Sequence, residues 1–154
     1  MPADLEAIDP GVPAEALDAA ERELGRALPQ ALRGLLGRAN GAYASPEWFV
    51  VEWPGPDGDT SELAQLHYLY PLATIVKESH ALASRLPSGA LAIGQDPGGA
   101  LILMLTSGDE AGSIRFWRLA YDPYGEGDNA DGVGVVAASL EQWLDALEPE
   151  PDFG

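Results

Sequence analysis

Apolar residues recur along this chain at two spacings, one helical and one extended, and the changes of spacing mark out the elements. Leu17, Ala20, Leu24 and Leu28 fall at three- and four-residue steps, which predicts a helix from Ala14 to about Leu28 with Pro13 at its start. A second helix opens at Pro29, buries Leu32, Leu35, Leu36 and Ala39, and is stopped by Asn40-Gly41, a pair that accepts positive φ. The aromatic and β-branched run Trp48–Trp53 reads as a strand, and Pro54–Asp59 as a loop. Leu66–Tyr70 reads as a short second strand. A third helix covers about Leu72 to Arg85, with Leu72, Ile75, Val76, Leu82 and Leu86 facing inward.

Three strands follow in close order, Ala90–Ile93, Leu101–Leu105 and Ile114–Leu119, separated by the turns Asp96–Gly99 and Ser107–Gly112, as in antiparallel hairpins. Asp122–Gly132 is a loop and Val133–Val136 a last strand. The final helix starts at Ser139, where Ser139-x-x-Gln142 forms a capping box ahead of the stripe Leu140, Trp143, Leu144 and Leu147. Runs of strands with helices at the N-terminus, middle and C-terminus imply an α+β domain with a mostly antiparallel sheet of about five to six strands. At 154 residues the chain fits one domain, taken as 1–148, with 149–154 a frayed acidic tail.

Charge changes this picture most. The formal net charge is −17, and residues 119–154 hold nine carboxylates with no Lys or Arg. A field of this sign argues against nucleic-acid phosphates and against an anionic membrane surface, and it attracts basic partners. Four of the eight basic residues, Arg22, Arg26, Arg33 and Arg38, lie in the first helical pair. There is no cysteine, so disulfides and thiol nucleophiles are excluded. The acidic N-terminus does not read as a secretory signal, and the longest strongly apolar run, Ala100–Leu105, is far short of the ~20 residues of a membrane helix. These features point to a cytoplasmic protein.

The search for catalysis returns little. No GxSxG elbow is present, and Ser79 and His80 are neighbours on a helix, so their side chains diverge. His67 and His80 have no paired-ligand spacing. The loop 122–132 is rich in acids but fails the calcium-loop register, because Tyr124 and Val133 stand where ligands are required. No cofactor or metal is implied. The aromatics say more: Trp143 has core spacing, whereas strand alternation makes one of Phe116 and Trp117 a candidate for exposure, and Trp53 opens onto an acidic loop.

Five segments, in order, resemble the SUKH superfamily, which is related to the yeast cell-wall-assembly regulator: Glu23–Gly41, Leu69–Ile75, Leu86–Met104, Ser113–Trp117 and Val136–Leu147. The resemblance implies an α+β fold and a non-enzymatic role, since bacterial members are mostly immunity proteins that bind and silence a toxin domain. On that basis the expected partner is a cognate, basic protein toxin. The candidate partner-binding residues are Trp53, Asp57, Asp59, Asp96, Trp117, Asp122, Glu126, Asp128 and Asp131, with the four acids of the long loop mimicking phosphate charge. The chain is expected to be a monomer or weak homodimer. The alternatives are a constitutive adaptor or regulatory scaffold and, further off, a metal-dependent hydrolase or small-ligand binder.

Overall fold

A computed structural model of the chain describes residues 4–53, 58–83, 86, 89–117 and 133–151. The order of elements is β1 (Asp4–Pro10), α1 (Ala14–Leu24), α2 (Gln30–Arg38), β2 (Ala39–Ser45), β3 (Trp48–Trp53), β4 (Thr60–Gln65), β5 (Tyr68–Leu69), α3 (Leu72–Ala81), β6 (Ala90–Gln95), β7 (Leu101–Leu105), β8 (Ile114–Trp117), β9 (Val133–Ala137) and α4 (Leu140–Asp145). The α+β class is as the sequence implies. Among the described residues, however, the sheet has nine strands in the order β1-β2-β5-β6-β7-β8-β9-β3-β4, not five to six, and every pairing is antiparallel.

The three extra strands are β1, β2 and β4. Two of them, β1 and β4, are the sheet edges and are polar or acidic, DLEAIDP and TSELAQ. β2, ANGAYAS, is built from small residues around one tyrosine. Such segments are held by backbone pairing to one or two neighbours and carry no apolar period.

The curvature of the sheet follows from one ribbon. β2 and β3 are successive parts of one run of chain, as are β4 and β5; β2 pairs with β5 and β3 with β4. Across the break, which contains the cis Ser45–Pro46 bond, the Leu66 N–H donates to Glu47 O at 2.8 Å. One end of this ribbon then pairs with β6 through β5, and the other with β9 through β3. The meander β6–β9 is thus flanked on both sides by the same ribbon, so the sheet must bend. At β9, Gly134 makes that approach feasible: a Cβ there would drive into Val51 Cγ1 and come within 3.2 Å of the Trp53 ring.

Helices cover the inner face. Phe49, Val51 and Phe116 are buried there, and Trp143 of α4 meets Phe49 edge-on at 5.4 Å between ring centroids. α4 begins as its sequence indicates: Ser139 Oγ accepts the Gln142 N–H at 3.0 Å, while Gln142 Oε1 accepts the Ala138 N–H at 2.9 Å. α1 and α2 are tied by Arg33, which reaches Glu21 at 2.8 Å and Asp18 at 3.2 Å. α1 ends at Leu24, four residues before Leu28, and is capped by the left-handed Gly25, whose N–H returns to Glu21 O. Leu28 is buried all the same, in the connection to α2.

Asn40-Gly41 has a different task from the one expected. α2 has already ended when Ala39 turns extended, and both residues belong to β2. The Asn40 carboxamide oxygen accepts the Leu72 N–H at 2.7 Å, capping α3, and Gly41, at φ +83°, lets β2 pass against Pro71. The pair therefore serves the start of α3 rather than the end of α2.

Candidate protein-binding surface

Pairing across the sheet brings the sequence-predicted residues to one end of it. Gln95, Leu101, Trp117 and Val133 stand in one row across β6, β7, β8 and β9. Asp96 turns the chain just beyond Gln95. Trp53 ends β3 on the same side, one position beyond the Glu52–Val135 pair, and Asp59 precedes β4. β8 stops and β9 resumes at this end. Asp57, Asp122, Glu126, Asp128 and Asp131 lie outside the described residues.

The four described candidates are not equivalent. Trp117 is 0% exposed, and its neighbours Leu101 and Val133 sit opposite it on the flanking strands. It is a core residue and cannot serve as a surface anchor. The alternation argument fails because β8 is buried on both faces, with Ile114, Arg115 and Phe116 all buried too. Trp53 is half-buried: its Nε1 donates to Glu62 Oε1 at 2.8 Å and its ring meets Phe116 edge-on at 6.2 Å. Asp96 is engaged by its own turn, with Oδ1 accepting the Ala100 N–H at 2.7 Å. Asp59 is exposed.

A different aromatic group reaches the surface. Tyr43, on β2, is 47% exposed and lies 6.2 Å from the Tyr68 ring of β5. Tyr68 in turn meets Tyr70 at 5.5 Å and the exposed His67 at 5.0 Å. Tyr70 is buried and its hydroxyl donates to Gln95 Oε1 at 3.0 Å. Burial above all, then the charge of Glu78 and the neighbouring Tyr68, pushes the Tyr70 hydroxyl well above the usual tyrosine range, so it stays a neutral donor. Glu6 of β1 stands directly opposite Tyr43, and Ile8, 36% exposed, lies two residues along on the same face. The sequence carried one hint of this face, the alternation Ala42-Tyr43-Ala44, in a segment without a predicted strand.

Charge is divided between the layers. The described cations are Arg22, Arg26, Arg33, Arg38, Lys77 and Arg115. All but Arg115 lie on α1–α3 or in the connection after α1. Arg115 is buried in β8 and held by Glu110 at 2.7 Å. The strands and turns of the sheet carry Asp4, Glu6, Glu47, Glu52, Asp59, Asp96 and Asp109, and the described cation that reaches them from the helical side is Arg26, whose Nη1 donates to Ala90 O at 3.3 Å and to Thr106 Oγ1 at 3.4 Å.

The described residues gather no catalytic set. Ser79 is buried, with Oγ accepting the Ala92 N–H at 3.1 Å, whereas His80 is exposed, so the two diverge as expected. No three histidine or carboxylate side chains among the described residues come together as metal ligands. An open groove of about 440 Å³, lined by Leu5, Gly34, Arg38, Leu140 and Leu144 among others, brings no nucleophile and base together. Among the described residues no helix is long and apolar enough to cross a membrane.

No protein of curated function matches the chain. The model of the SMI1 / KNR4 family (SUKH-1) matches residues 11–146, from the approach to α1 through α4, and on that span the chain belongs to this family.

Proposed function

We propose that this chain is an immunity protein that binds a basic toxin domain and silences it by occlusion, without catalysis of its own. The observation that carries the reading is the uneven placement of cations: of the six described, five lie on α1–α3 or in the connection after α1, and the sixth, Arg115 of β8, is buried and paired with Glu110, while the strands and turns of the sheet carry carboxylates. An acidic face of this kind speeds encounter with a basic partner and directs partner choice. The family supports a role in immunity or regulation, and the toxin is the finer step taken here. The segment between β8 and β9 would add the negative charge of Asp122, Glu126, Asp128 and Asp131, and Asp59 and Asp96 lie at the sheet end where β8 and β9 bound that segment. A toxin's inhibitor works in the compartment where the toxin is made, here the reducing cytoplasm, and the absence of cysteine suits it.

The test is co-purification with the protein encoded by the adjacent gene, then titration of the pair at about 0.1 M and 1 M salt, where the screening length falls from ~10 to ~3 Å. Tight binding that weakens as salt rises supports the reading. Binding unaffected by salt, or unaffected when the four loop acids become Asn or Gln, would remove the electrostatic mechanism. No binding to a neighbouring product would leave the regulatory scaffold as the better account.

A further inference from the structure

We propose that the sheet face formed by Glu6, Ile8, Tyr43 and Tyr68 is an arginine-reading contact surface for a basic protein partner. The inference rests on the proposed function for the identity of the partner, but not for the chemistry of the site. Tyr43 and Glu6 are direct partners in the β1–β2 register. Opposed residues of an antiparallel pair hold their Cβ atoms roughly 4.5–5.5 Å apart on one face. A phenol ring and a carboxylate at that spacing match the two faces of a guanidinium: its plane stacks on the ring while its edge donates paired hydrogen bonds to the carboxylate. A lysine ammonium can use the charge but not the planar fork, so the pair should favour arginine.

The surroundings fit this use. Tyr43 is the most exposed of the large apolar side chains described, and Tyr68, 6.2 Å away, extends the aromatic surface. Tyr70 beneath Tyr68 is buried and hydrogen-bonded to Gln95, which fixes the ring against which Tyr68 rests. Neither Glu6 nor the Tyr43 hydroxyl has a hydrogen-bond or ion-pair partner among the described residues. Asp4 and Ile8 flank Glu6 on the same face, and β1 is the sheet edge, so no further strand crowds them. A second copy of this chain is a poor occupant. Two β1 edges laid together would bring Asp4, Glu6 and Asp9 of one copy against the same acids of the other.

The probe is a capped tetra-arginine peptide, compared with tetra-lysine, titrated into the isotopically labelled full chain with tyrosine ring and β1–β2 amide shifts as the readout. Shifts centred on Tyr43, Tyr68 and Glu6 are expected, with arginine favoured. Tyr43→Leu should weaken the arginine peptide by about two- to fivefold, as an exposed cation–π contact of ~0.5–1 kcal/mol requires. Glu6→Gln should act similarly, while Tyr43→Phe should bind like the parent chain. Both positions are exposed, so folding is not at stake, and the amide spectrum confirms it in the same experiment. Shifts spread evenly over the acidic surface, or equal binding of the two peptides, would overturn the proposal. So would a dimer that Tyr43→Leu dissociates, which would assign the face to self-association. If Tyr43→Leu binds the adjacent gene's product as tightly as the parent does, with the same salt dependence, the site falls and the proposed function stands.

Discussion

Replacing Trp117 by Ala should cost stability rather than affinity. The side chain is 0% exposed and sits in the interior strand β8, between β7 and β9. A tryptophan buries about 150–250 Å². At ~25 cal/mol per Å² that corresponds to about 4–6 kcal/mol of transfer free energy, and measured Trp→Ala losses in cores run at about 3–5 kcal/mol. For a chain of this length, each kcal/mol shifts Tm by roughly 2–4 °C, so a fall of roughly 6–20 °C is expected. Urea unfolding followed by circular dichroism should show a lower midpoint with an unchanged slope, because the surface exposed on unfolding is nearly the same. Affinity for a partner, measured well below Tm, should be unaltered. A stability loss below ~0.5 kcal/mol, the usual range for surface substitutions, together with weakened partner binding would refute the core assignment and restore Trp117 as an anchor.

Gly134→Val should be destabilising by about 1–3 kcal/mol, because a Cβ would drive into Val51 and the Trp53 indole; thermal denaturation reads the loss, and an unchanged Tm would mean that β3 and β9 do not approach as described. Asn40→Ala should cost about 0.5–2 kcal/mol by uncapping Leu72 of α3, and Asn40→Asp should recover most of it; equal losses for both would rule out the capping role. Alkaline stability should depend on Tyr70. The folded state holds its phenolic proton more tightly than the unfolded chain does, so its contribution is intact below pH ~10 and is lost as pH rises above that, since the unfolded state releases its proton first. Tyr70→Phe should flatten that part of the stability profile, and an unchanged slope would place the titration elsewhere.

Much of the fold was legible in the order of residues. The four helices follow from apolar steps of three and four with Pro at or just before the start of three of them, and the hairpin β6–β7 from two apolar runs around Asp96–Gly99. The serine cap of α4 is where its capping box places it. Periodicity is a good guide here because these elements bury one face or both, and burial dictates residue type position by position. The family, too, could be read from motif order alone.

What the tertiary structure alone decided was the sheet's extent and which aromatics face water. β1 and β4 lie at edges and bury little, so their residues are free to be polar and leave no period to detect. Trp117 looked like an exposure candidate because alternation assumes one wet face, yet bending the sheet between the two ends of a single ribbon leaves β8 dry on both. Tyr43 became the exposed aromatic only through its pairing with β1 and β5, strands remote from β2 in sequence. Sequence specifies which side chains prefer burial; long-range pairing determines how many faces a strand has to bury, and that sets the surface left for a partner.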